Sequence, residues 1–290
     1  HMILWKRSAT KIRRRFRSRV IFAVGVAAGI ALVTSSIFLG ETSASERPNI
    51  IFIQTDDQDS RMLDALRPDT GEFAFPNIRA IAAEGVNFSN AFLPHGLCCP
   101  SRATLYTGQY DHNHGVLTNE APYGGYGKLD HTNTLPVWLK AAGYYNIHLG
   151  KYMNGYEQAV IAGTAPLVPP GWDKWFTPLD ASRYFNYEIV TENGAILPFG
   201  DSTGDYQTDV IARRAARFIA DRSFGEQPFF MVVDFFAPHT GSNGQPGSGT
   251  EAVPAPRHAG IFNTYEPIFP PSFNEPDVSD KPQNIASLPF

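Results

Sequence analysis

The chain of 290 residues has few charged side chains, few cysteines and, over most of its length, few basic residues. Charged residues make up only 18% of it, and that composition excludes a disordered or coiled-coil chain. Two cysteines are too few for the disulfide framework of a small secreted domain. Apolar side chains are plentiful, because 43% of the residues are hydrophobic. A chain of this length and composition buries a sizeable core.

Basic residues are concentrated at the start of the chain. Residues 1–46 hold eight lysines and arginines against two glutamates, a net charge of +6, whereas the remaining residues carry a net charge of −10. A protein that binds nucleic acid needs a basic face to displace counterions, so this acidic body predicts no nucleic-acid partner. An anionic substrate would have to be held there by a local group of cations or by a metal ion.

The basic start is followed by an uncharged stretch over 20–40, and this order is typical of a targeting segment. Small residues come next, with Ala44 before the expected cleavage point. We therefore predict that 1–46 is a signal peptide and that the protein is exported to a periplasmic, extracellular or lumenal compartment. The stretch is also long enough to span a bilayer, so an uncleaved membrane anchor is the alternative. The pair Arg13 and Arg14 resembles part of a twin-arginine signal.

From residue 47 onward, short apolar runs alternate with amphipathic segments, which indicates an α/β domain. The order of these elements predicts a sheet covered by helices. The first run is continuously apolar, so we expect that strand to be buried on both faces of the sheet. After His239 the chain is rich in glycine and proline, and no helix or strand is predicted over 240–290. The predicted strands are 49–54, 145–149 and 229–236, and the predicted helices are 76–84, 134–142, 208–220 and one that begins at Pro100.

Two adjacent carboxylates, Asp56 and Asp57, follow the first predicted strand directly. Ligands of open α/β sheets bind at the carboxyl ends of strands, so this is a favourable position for functional side chains. Adjacent carboxylates repel each other unless a cation lies between them, and Ca²⁺ and Mg²⁺ both prefer oxygen ligands. For an isolated pair of aspartates, a solvated loop is the alternative interpretation.

Both cysteines of the chain, Cys98 and Cys99, stand directly before Pro100 in the run LCCPSRATLYTGQ. The residues alone leave three interpretations open. The cysteines are two small buried apolar residues, or they form a strained vicinal disulfide in an exported protein. In the third interpretation, one of them is a reactive residue at a helix N terminus, where backbone N–H groups and the helix dipole favour anions.

The residues around the cysteines resemble the signature of the type I sulfatases. The resemblance extends from residue 47 to about 239 and implies an alkaline-phosphatase-like fold, in which helices sandwich the sheet. In that family the first cysteine of the signature is oxidised to formylglycine, so the resemblance implies this modification at Cys98 and makes Cys99 the variable position. The matching positions are Cys98, Pro100, Ser101, Arg102, Leu105, Thr107 and Gly108.

The same resemblance implies roles for residues elsewhere in the chain. Asp56 and Asp57 match the family's metal-binding pair, with Cys98 as a further ligand and with Ca²⁺ rather than Mg²⁺ as the ion. Lys151 matches a lysine that binds sulfate. His239 follows a buried strand and matches a histidine that approaches the sulfate, whereas a lone loop histidine is otherwise solvated. The implied catalytic residues are Cys98, Arg102, Lys151 and His239.

The chain departs from the family pattern at several positions. Met153 stands where the family commonly has a histidine, so no catalytic role is transferred to it. The sequence contains no Asp-Asn dipeptide, which is the family's second pair of metal ligands. We therefore expect 47–290 to be the amino-terminal part of the catalytic domain, with its sheet incomplete at the carboxyl end. His112 and His114, which follow the signature, are predicted to be structural rather than catalytic.

Within the family, the runs GKYMNGY and VPPGWDKWF resemble N-acetylglucosamine-6-sulfatases and related glycosaminoglycan sulfatases. The resemblance implies hydrolysis of the sulfate ester of a sulfated sugar, such as N-acetylglucosamine 6-sulfate, by a formylglycine hydrate and a calcium ion. It also implies the formylglycine-generating machinery as a partner. One alternative is a noncatalytic relative, either truncated or glycan-binding. The other is a phosphoesterase of the same fold, although such enzymes usually carry serine or threonine as nucleophile.

Overall fold

The computed structural model describes residues 3–4, 47–164, 166–222, 225, 227–241, 251–266, 269, 275, 277–283 and 287. The strands are β1 (Ile3–Leu4), β2 (Ile50–Thr55), β3 (Val86–Asn87), β4 (Tyr145–Gly150), β5 (Lys174–Pro178), β6 (Tyr187–Thr191), β7 (Ile196–Phe199) and β8 (Phe229–Phe235). The α-helices are α1 (Pro76–Glu84), α2 (Cys98–Thr107), α3 (Asp111–His114), α4 (Leu135–Ala141), α5 (Tyr156–Ile161) and α6 (Gln207–Arg222). Short 3₁₀ helices cover Ser60–Asp64, Tyr126–Lys128, Thr203–Asp205 and Pro256–His258.

The predicted targeting segment 1–46 lies outside the described residues except for β1, which pairs antiparallel with β3. No helix within the described parts of the chain has both the length and the apolar character needed to cross a bilayer. Neither finding bears on 20–40, so the signal peptide and its alternative, the anchor, stay predictions.

Contacts divide the chain into two units, and the larger one comprises His1–Gln58 and Ala80–Val253. It contains the main sheet and helices α2 to α6. The smaller unit comprises Asp59–Arg79 and Pro254–Phe290, and its described residues contain little regular structure beyond two 3₁₀ helices. The predicted single catalytic region over 47–290 stays a prediction.

The main sheet has the strand order β2-β8-β4-β5-β6-β7. The first four strands of this order run parallel, and β6 and β7 are antiparallel to their neighbours. Thr55 lies opposite Phe235, and Asp234 lies opposite Gly150, so β2, β8 and β4 all end at the same level. This register brings the residues that follow the three strands to one edge of the sheet.

The two faces of β8 are buried against different partners, because alternate side chains of a strand point to opposite sides. Met231 and Val233 pack with Ile211 of α6 in one core cluster. Phe230 and Val232 pack on the other face in a cluster rich in tyrosine and tryptophan, which includes residues of α2. The predicted α/β fold, a sheet flanked by helices, is confirmed.

The long periodic segments are found where the sequence predicts them. Helix α1 has the predicted bounds, and α4 and α6 differ from the predicted 134–142 and 208–220 by one or two residues at each end. Strands β5 to β7 and helix α5 are not predicted. They are only four to six residues long, and β5 and β7 contain prolines, so their periodicity is too weak to detect.

Strand β2 differs from its prediction. Its side chains alternate between half-buried and exposed, and Ile51 and Ile53 are 36% and 56% exposed. The expectation that both faces are buried is wrong for the part of the chain that the structure describes. The physical reason is that α6 packs on β8 and β4, whereas β2 lies beyond them at the edge of the sheet, where it pairs only with β8 among the described residues.

Candidate active site at the carboxyl edge of the sheet

The ends of three parallel strands and the start of one helix form the candidate site. Asp56 follows β2, and its backbone N–H donates to the carbonyl of Ala237, in the loop after β8, over 3.3 Å. Lys151 follows β4, and its backbone N–H donates to the carbonyl of Asp234 over 2.9 Å. Cys98 is the first residue of α2. The ends of β2 and β4 are therefore both fixed to the end of β8.

Gly150 permits the close approach of β4 to β8. Its φ is +103°, in a region that favours glycine. A Cβ atom at this position would lie 1.9 Å from the carbonyl oxygen of Asp234. The position of Lys151 therefore depends on a glycine directly before it.

Cys98 is half-buried, and its sulfur lies between two charged groups. Sγ is 3.5 Å from Nζ of Lys151 and 3.8 Å from Oδ1 of Asp56. Both cysteines are free thiols in this structure, which argues against the vicinal disulfide. The structure thus brings together three of the residues that the sequence singles out.

Cys99 has a different environment from its neighbour, because it is fully buried in the aromatic core cluster. Its backbone N–H donates to Oδ1 of Asn119 over 2.8 Å, and the N–H of Asn154 donates to its sulfur over 3.2 Å. Burial raises the pKa of the Cys99 thiol to about 11. This thiol stays protonated and packs as a small apolar residue.

The predicted aspartate pair is split between the interior and the solvent. Asp56 is 6% exposed and accepts a hydrogen bond from Nζ of Lys151, whereas the Asp57 side chain is 62% exposed. Asp57 has a φ of +61°, which turns its carboxylate towards Nε2 of His239 at 3.4 Å. Asp56, Cys98 and His239 offer ligand atoms within 4.8 Å of one another, and this group could hold a metal ion.

Arg102 lies behind this group and is 1% exposed. Its Nη1 is 2.9 Å from Oδ2 of Asp234 and donates to the carbonyl of Lys151 over 2.9 Å, while Nη2 is 3.9 Å from Oδ2 of Asp56. Burial alone would lower the pKa of Arg102, but the charges of Asp234 and Asp56 outweigh it and raise that pKa. The guanidinium therefore stays charged in the interior, away from the cavity that the other candidate residues line.

Asp234 is the central residue that the sequence analysis missed. It lies within β8, is fully buried, and accepts a hydrogen bond from the Tyr106 hydroxyl over 3.4 Å. Nε2 of His148 is also 3.4 Å from its carboxylate. A single carboxylate inside the apolar run FFMVVDF is a detectable signal, because a buried charge of this kind needs a cation beside it.

His239 is held by the loop that follows β8. Its ring stacks on Phe236 with 4.8 Å between the ring centroids, and its carbonyl accepts a hydrogen bond from the Tyr184 hydroxyl over 2.7 Å. Nδ1 is 2.5 Å from the carbonyl of Thr240, so this nitrogen donates a hydrogen bond to that carbonyl. Nε2 faces the Asp57 carboxylate at 3.4 Å.

The other histidines near the signature have structural contacts. His114 is buried against α2, where Nε2 lies 3.2 Å from the Thr104 hydroxyl and Nδ1 accepts from the N–H of Val116 over 3.1 Å. His112 is exposed and stacks on Tyr110. Met153 is buried in the aromatic core cluster. These contacts are consistent with structural roles.

A cavity of about 230 Å³ opens beside the candidate residues. Cys98, Lys151 and His239 line it, together with polar side chains of the loop before α5 and of the segment after β5. Lys151 is only 6% exposed, because Asp56 holds its ammonium group against the wall. The residues that line this cavity include Cys98, Asn119, Lys151, Asn154, Glu157 and His239.

The chain is similar to proteins of one known family. The chain matches the family model described as Sulfatase over residues 48–274. It is 36% identical over 208 residues to an N-acetylglucosamine-6-sulfatase of Homo sapiens, which covers 69% of this chain and 36% of that protein. It is 30% identical over 244 residues to an extracellular sulfatase SULF-1 homolog of Drosophila melanogaster, covering 83% of this chain and 20% of the relative.

A solved structure shares the fold. It contains a protein in complex with its substrate D-glucosamine-2-N,6-O-disulfate, and it superposes with a TM-score of 0.57 at 30% identity, over 77% of this chain and 39% of that one. The chain thus spans between a fifth and two fifths of the length of these similar proteins. With a family model matched over more than three quarters of its residues, the chain belongs to the sulfatase family.

Proposed function

We propose that this chain carries part of the active site of an enzyme that hydrolyses the sulfate esters of sulfated sugars. The observation that supports this most directly is the position of Cys98, whose sulfur lies 3.5 Å from Nζ of Lys151 and 3.8 Å from the Asp56 carboxylate beside a cavity. A nucleophile at a helix N terminus, with a cation in contact, suits the attack on an anionic ester.

We propose a sulfated glucosamine as the substrate, such as N-acetylglucosamine 6-sulfate in a glycosaminoglycan. The human relative is named for this activity, and the solved relative binds a glucosamine that carries a 6-O-sulfate. Membership of the family does not by itself determine which sugar is bound.

The proposed nucleophile is the hydrate of formylglycine, produced from Cys98 by the formylglycine-generating machinery. The thiol sulfur of Cys98 stands here for the hydroxyl oxygens of that hydrate. One hydroxyl attacks the sulfur of the ester, and the sugar alcohol leaves with a proton. The second hydroxyl then loses its proton, sulfate is eliminated and the aldehyde is restored. A serine in this place has no second hydroxyl and would remain sulfated.

Three further residues assist the hydrolysis in this mechanism. Nζ of Lys151 binds a sulfate oxygen and neutralises its charge. His239, which lines the cavity beside Cys98, carries the proton that moves to the leaving alcohol. Arg102 does not reach the cavity wall, and it acts by holding the carbonyl of Lys151 and the carboxylate of Asp56 in place.

The Ca²⁺ ion that the family implies would be held by Asp56, Asp57 and the modified residue 98. Bound there, it would act as a Lewis acid on the sulfate. Calcium takes about six to eight oxygen ligands, and these residues supply three of them, so they fit part of a coordination shell. We therefore expect the 290-residue chain alone to bind Ca²⁺ weakly and to hydrolyse sulfate esters poorly or not at all. A version extended to include an Asp-Asn pair and the remaining sheet is expected to bind Ca²⁺ more tightly.

We propose that the protein is exported, on the basis of the basic and then apolar order of 1–46 and of the relative that is named extracellular. N-terminal sequencing of the protein from an exporting host tests this. A mature start close to residue 45 is expected, and an intact N terminus in the membrane fraction would support the anchor instead.

The test of the activity compares Cys98→Ala with Cys99→Ala in a full-length version that includes an Asp-Asn pair and the remaining sheet, each co-produced with the formylglycine-generating machinery. Mass spectrometry of the peptide around residue 98 should find formylglycine in the wild type and in Cys99→Ala. Release of sulfate from N-acetylglucosamine 6-sulfate should be abolished by Cys98→Ala and reduced only modestly by Cys99→Ala. Equal rates in Cys98→Ala and the wild type would show that residue 98 is not the nucleophile.

A further inference from the structure

The cavity carries charges of opposite sign on different segments of its wall. Lys151 and His239 lie beside Cys98, whereas Glu157 belongs to the first turn of α5, six residues after Lys151. Lys151 is ion-paired with Asp56 and not with Glu157. A molecule that fills this cavity therefore meets a cationic region near the proposed nucleophile and an anionic side chain elsewhere on the wall.

Glu157 differs from the other carboxylate of the wall. Asp180 accepts hydrogen bonds from the N–H of Ser182 over 2.9 Å and from Nε of Arg183 over 2.8 Å, so its charge is already compensated. Glu157 is half-buried, and no side-chain hydrogen bond or ion pair of this residue is found within the described residues. Burial raises the pKa of Glu157, and the charge of Asp180 raises it further. The ionised side chain of Glu157 would thus be stabilised by a cation in the cavity.

We infer that, among 6-sulfated glucosamines, the cavity prefers one whose amine is unsubstituted, with its sulfate at Lys151 and its ammonium group at Glu157. This inference rests on the proposed function and adds the substituent on the sugar nitrogen. It also separates this chain from the solved relative, whose substrate carries a second sulfate on that nitrogen.

The order of affinities follows from charge. An ammonium group donates charge-assisted hydrogen bonds to Glu157, which are stronger than hydrogen bonds between neutral groups. An acetylated nitrogen is neutral and gains only an ordinary hydrogen bond. An N-sulfate places a second anion next to a half-buried carboxylate on which the charges of Asp180 and Glu188 also act, opposed by that of Arg183 alone among the charges that shift its pKa, and like charges in a partly desolvated site repel. Glucosamine 6-sulfate should bind most tightly, and glucosamine-2-N,6-O-disulfate least tightly.

The experiment measures dissociation constants of the 290-residue chain by titration calorimetry at pH 6.5, where a sugar amine is protonated. The three ligands are glucosamine 6-sulfate, N-acetylglucosamine 6-sulfate and glucosamine-2-N,6-O-disulfate. In the wild type we expect the free amine to bind at least ~10-fold more tightly than the disulfate. Glu157→Gln keeps the shape of the side chain and should remove most of this preference. Glu157→Asp keeps the charge and should retain part of it.

The matched control is Glu188→Gln. Glu188 is exposed on β6 and does not line the cavity, yet its charge is near enough to raise the pKa of Glu157. Glu188→Gln should leave the ratio of the three dissociation constants unchanged. Binding of all three sugars with the same ratio in the wild type and Glu157→Gln would overturn the inference and leave the proposed function standing. If the wild type and Glu188→Gln bound none of the three sugars, the proposed function would fail first, and the inference with it.

Discussion

Two groups of charged residues lie within a short distance of each other and differ in how their charges are compensated. In the buried cluster, defined here as Arg102, Tyr106, His148 and Asp234, every side chain is at most 1% exposed and the charges face each other. On the cavity wall, Lys151 forms an ion pair with Asp56, and Glu157 has no ion pair within the described residues. The charges of the buried cluster hold the strand ends in place, whereas those of the cavity wall are available to a ligand.

Burying the charges of this cluster costs desolvation free energy. Nε and Nη2 of Arg102 and Oδ1 of Asp234 have no hydrogen-bond partner among the described residues. A buried ion pair with unsatisfied atoms contributes little net stability, but the loss of one partner leaves the other charge unpaired in the interior. We therefore expect mutations in the cluster to change stability and mutations on the wall to change ligand binding.

The largest expected effect is that of Asp234→Ala. Arg102 would be left without its closest carboxylate, and we expect a loss of about 3–5 kcal/mol in the free energy of unfolding, measured by urea denaturation. The control is the double variant Arg102→Met with Asp234→Leu, which replaces the pair by apolar side chains and should recover most of the loss. A single variant as stable as the wild type would show that the cluster does not hold the strand ends.

Gly150→Ala should have the next largest effect. The added Cβ would meet the carbonyl of Asp234, and the φ of +103° is unfavourable for alanine, so β4 and β8 would be forced apart. We expect a loss on the order of 2–3 kcal/mol by urea denaturation. Gly127→Ala is the control, because a Cβ there meets no atom within 4 Å, and it should change stability by less than about 1 kcal/mol. Equal effects of the two variants would contradict this role of Gly150.

The stability of the fold should depend on pH through His131, which is half-buried, and His148, which is fully buried. Burial is the main cause that lowers the pKa of His131 and of His148 below the ordinary value of 6.5. The unfolded chain then binds more protons than the folded one below that value, so stability is full above it and falls as the pH decreases through about 6.5. Each histidine adds a slope of at most about 1.4 kcal/mol per pH unit.

Urea denaturation between pH 7.5 and 5.5 measures this slope. His131→Gln should reduce it, whereas His112→Gln should leave it unchanged, because His112 is exposed. A free energy of unfolding that stays constant over this range would show that the two histidines are not buried as neutral side chains.

The smallest effect on stability is expected for Asp57→Gly. The carboxylate is largely exposed and its φ of +61° suits glycine, so the free energy of unfolding should change by less than about 0.5 kcal/mol. The same variant should reduce the rise in melting temperature that millimolar Ca²⁺ produces, if Asp57 is a ligand. An unchanged calcium response would assign the metal to Asp56, Cys98 and His239 alone.

The sequence alone identifies the candidate residues that belong to local patterns. Cys98 and Arg102 are part of one signature, and Lys151 and His239 each follow a recognisable strand. Their convergence follows from the parallel arrangement of β2, β8 and β4, because the carboxyl ends of parallel strands meet at one edge. The long helices α1 and α6 were predicted for the same reason, since their periodicity is local.

The remaining features depend on contacts between distant positions. Asp234 lies 132 residues from Arg102, and nothing in the strand sequence identifies that partner. Glu157 lines the cavity only because α5 follows the loop that carries Lys151, and α5 itself was not predicted. The difference between Cys98 and Cys99 likewise arises from the helix, which turns one thiol to the cavity and the other into the core.

The exposed edge of β2 has a consequence for the behaviour of this chain at high concentration. Within the part of the chain that the structure describes, this strand of six residues has no neighbour on its second side, so backbone donors and acceptors are left there, and Ile51 and Ile53 lie uncovered on one face. Two copies of the chain can pair through such edges, because the unsatisfied backbone groups template another strand. The chain should self-associate as its concentration rises. Ile53→Lys should raise the concentration at which association begins, because each of the two paired strands would then carry a positive charge.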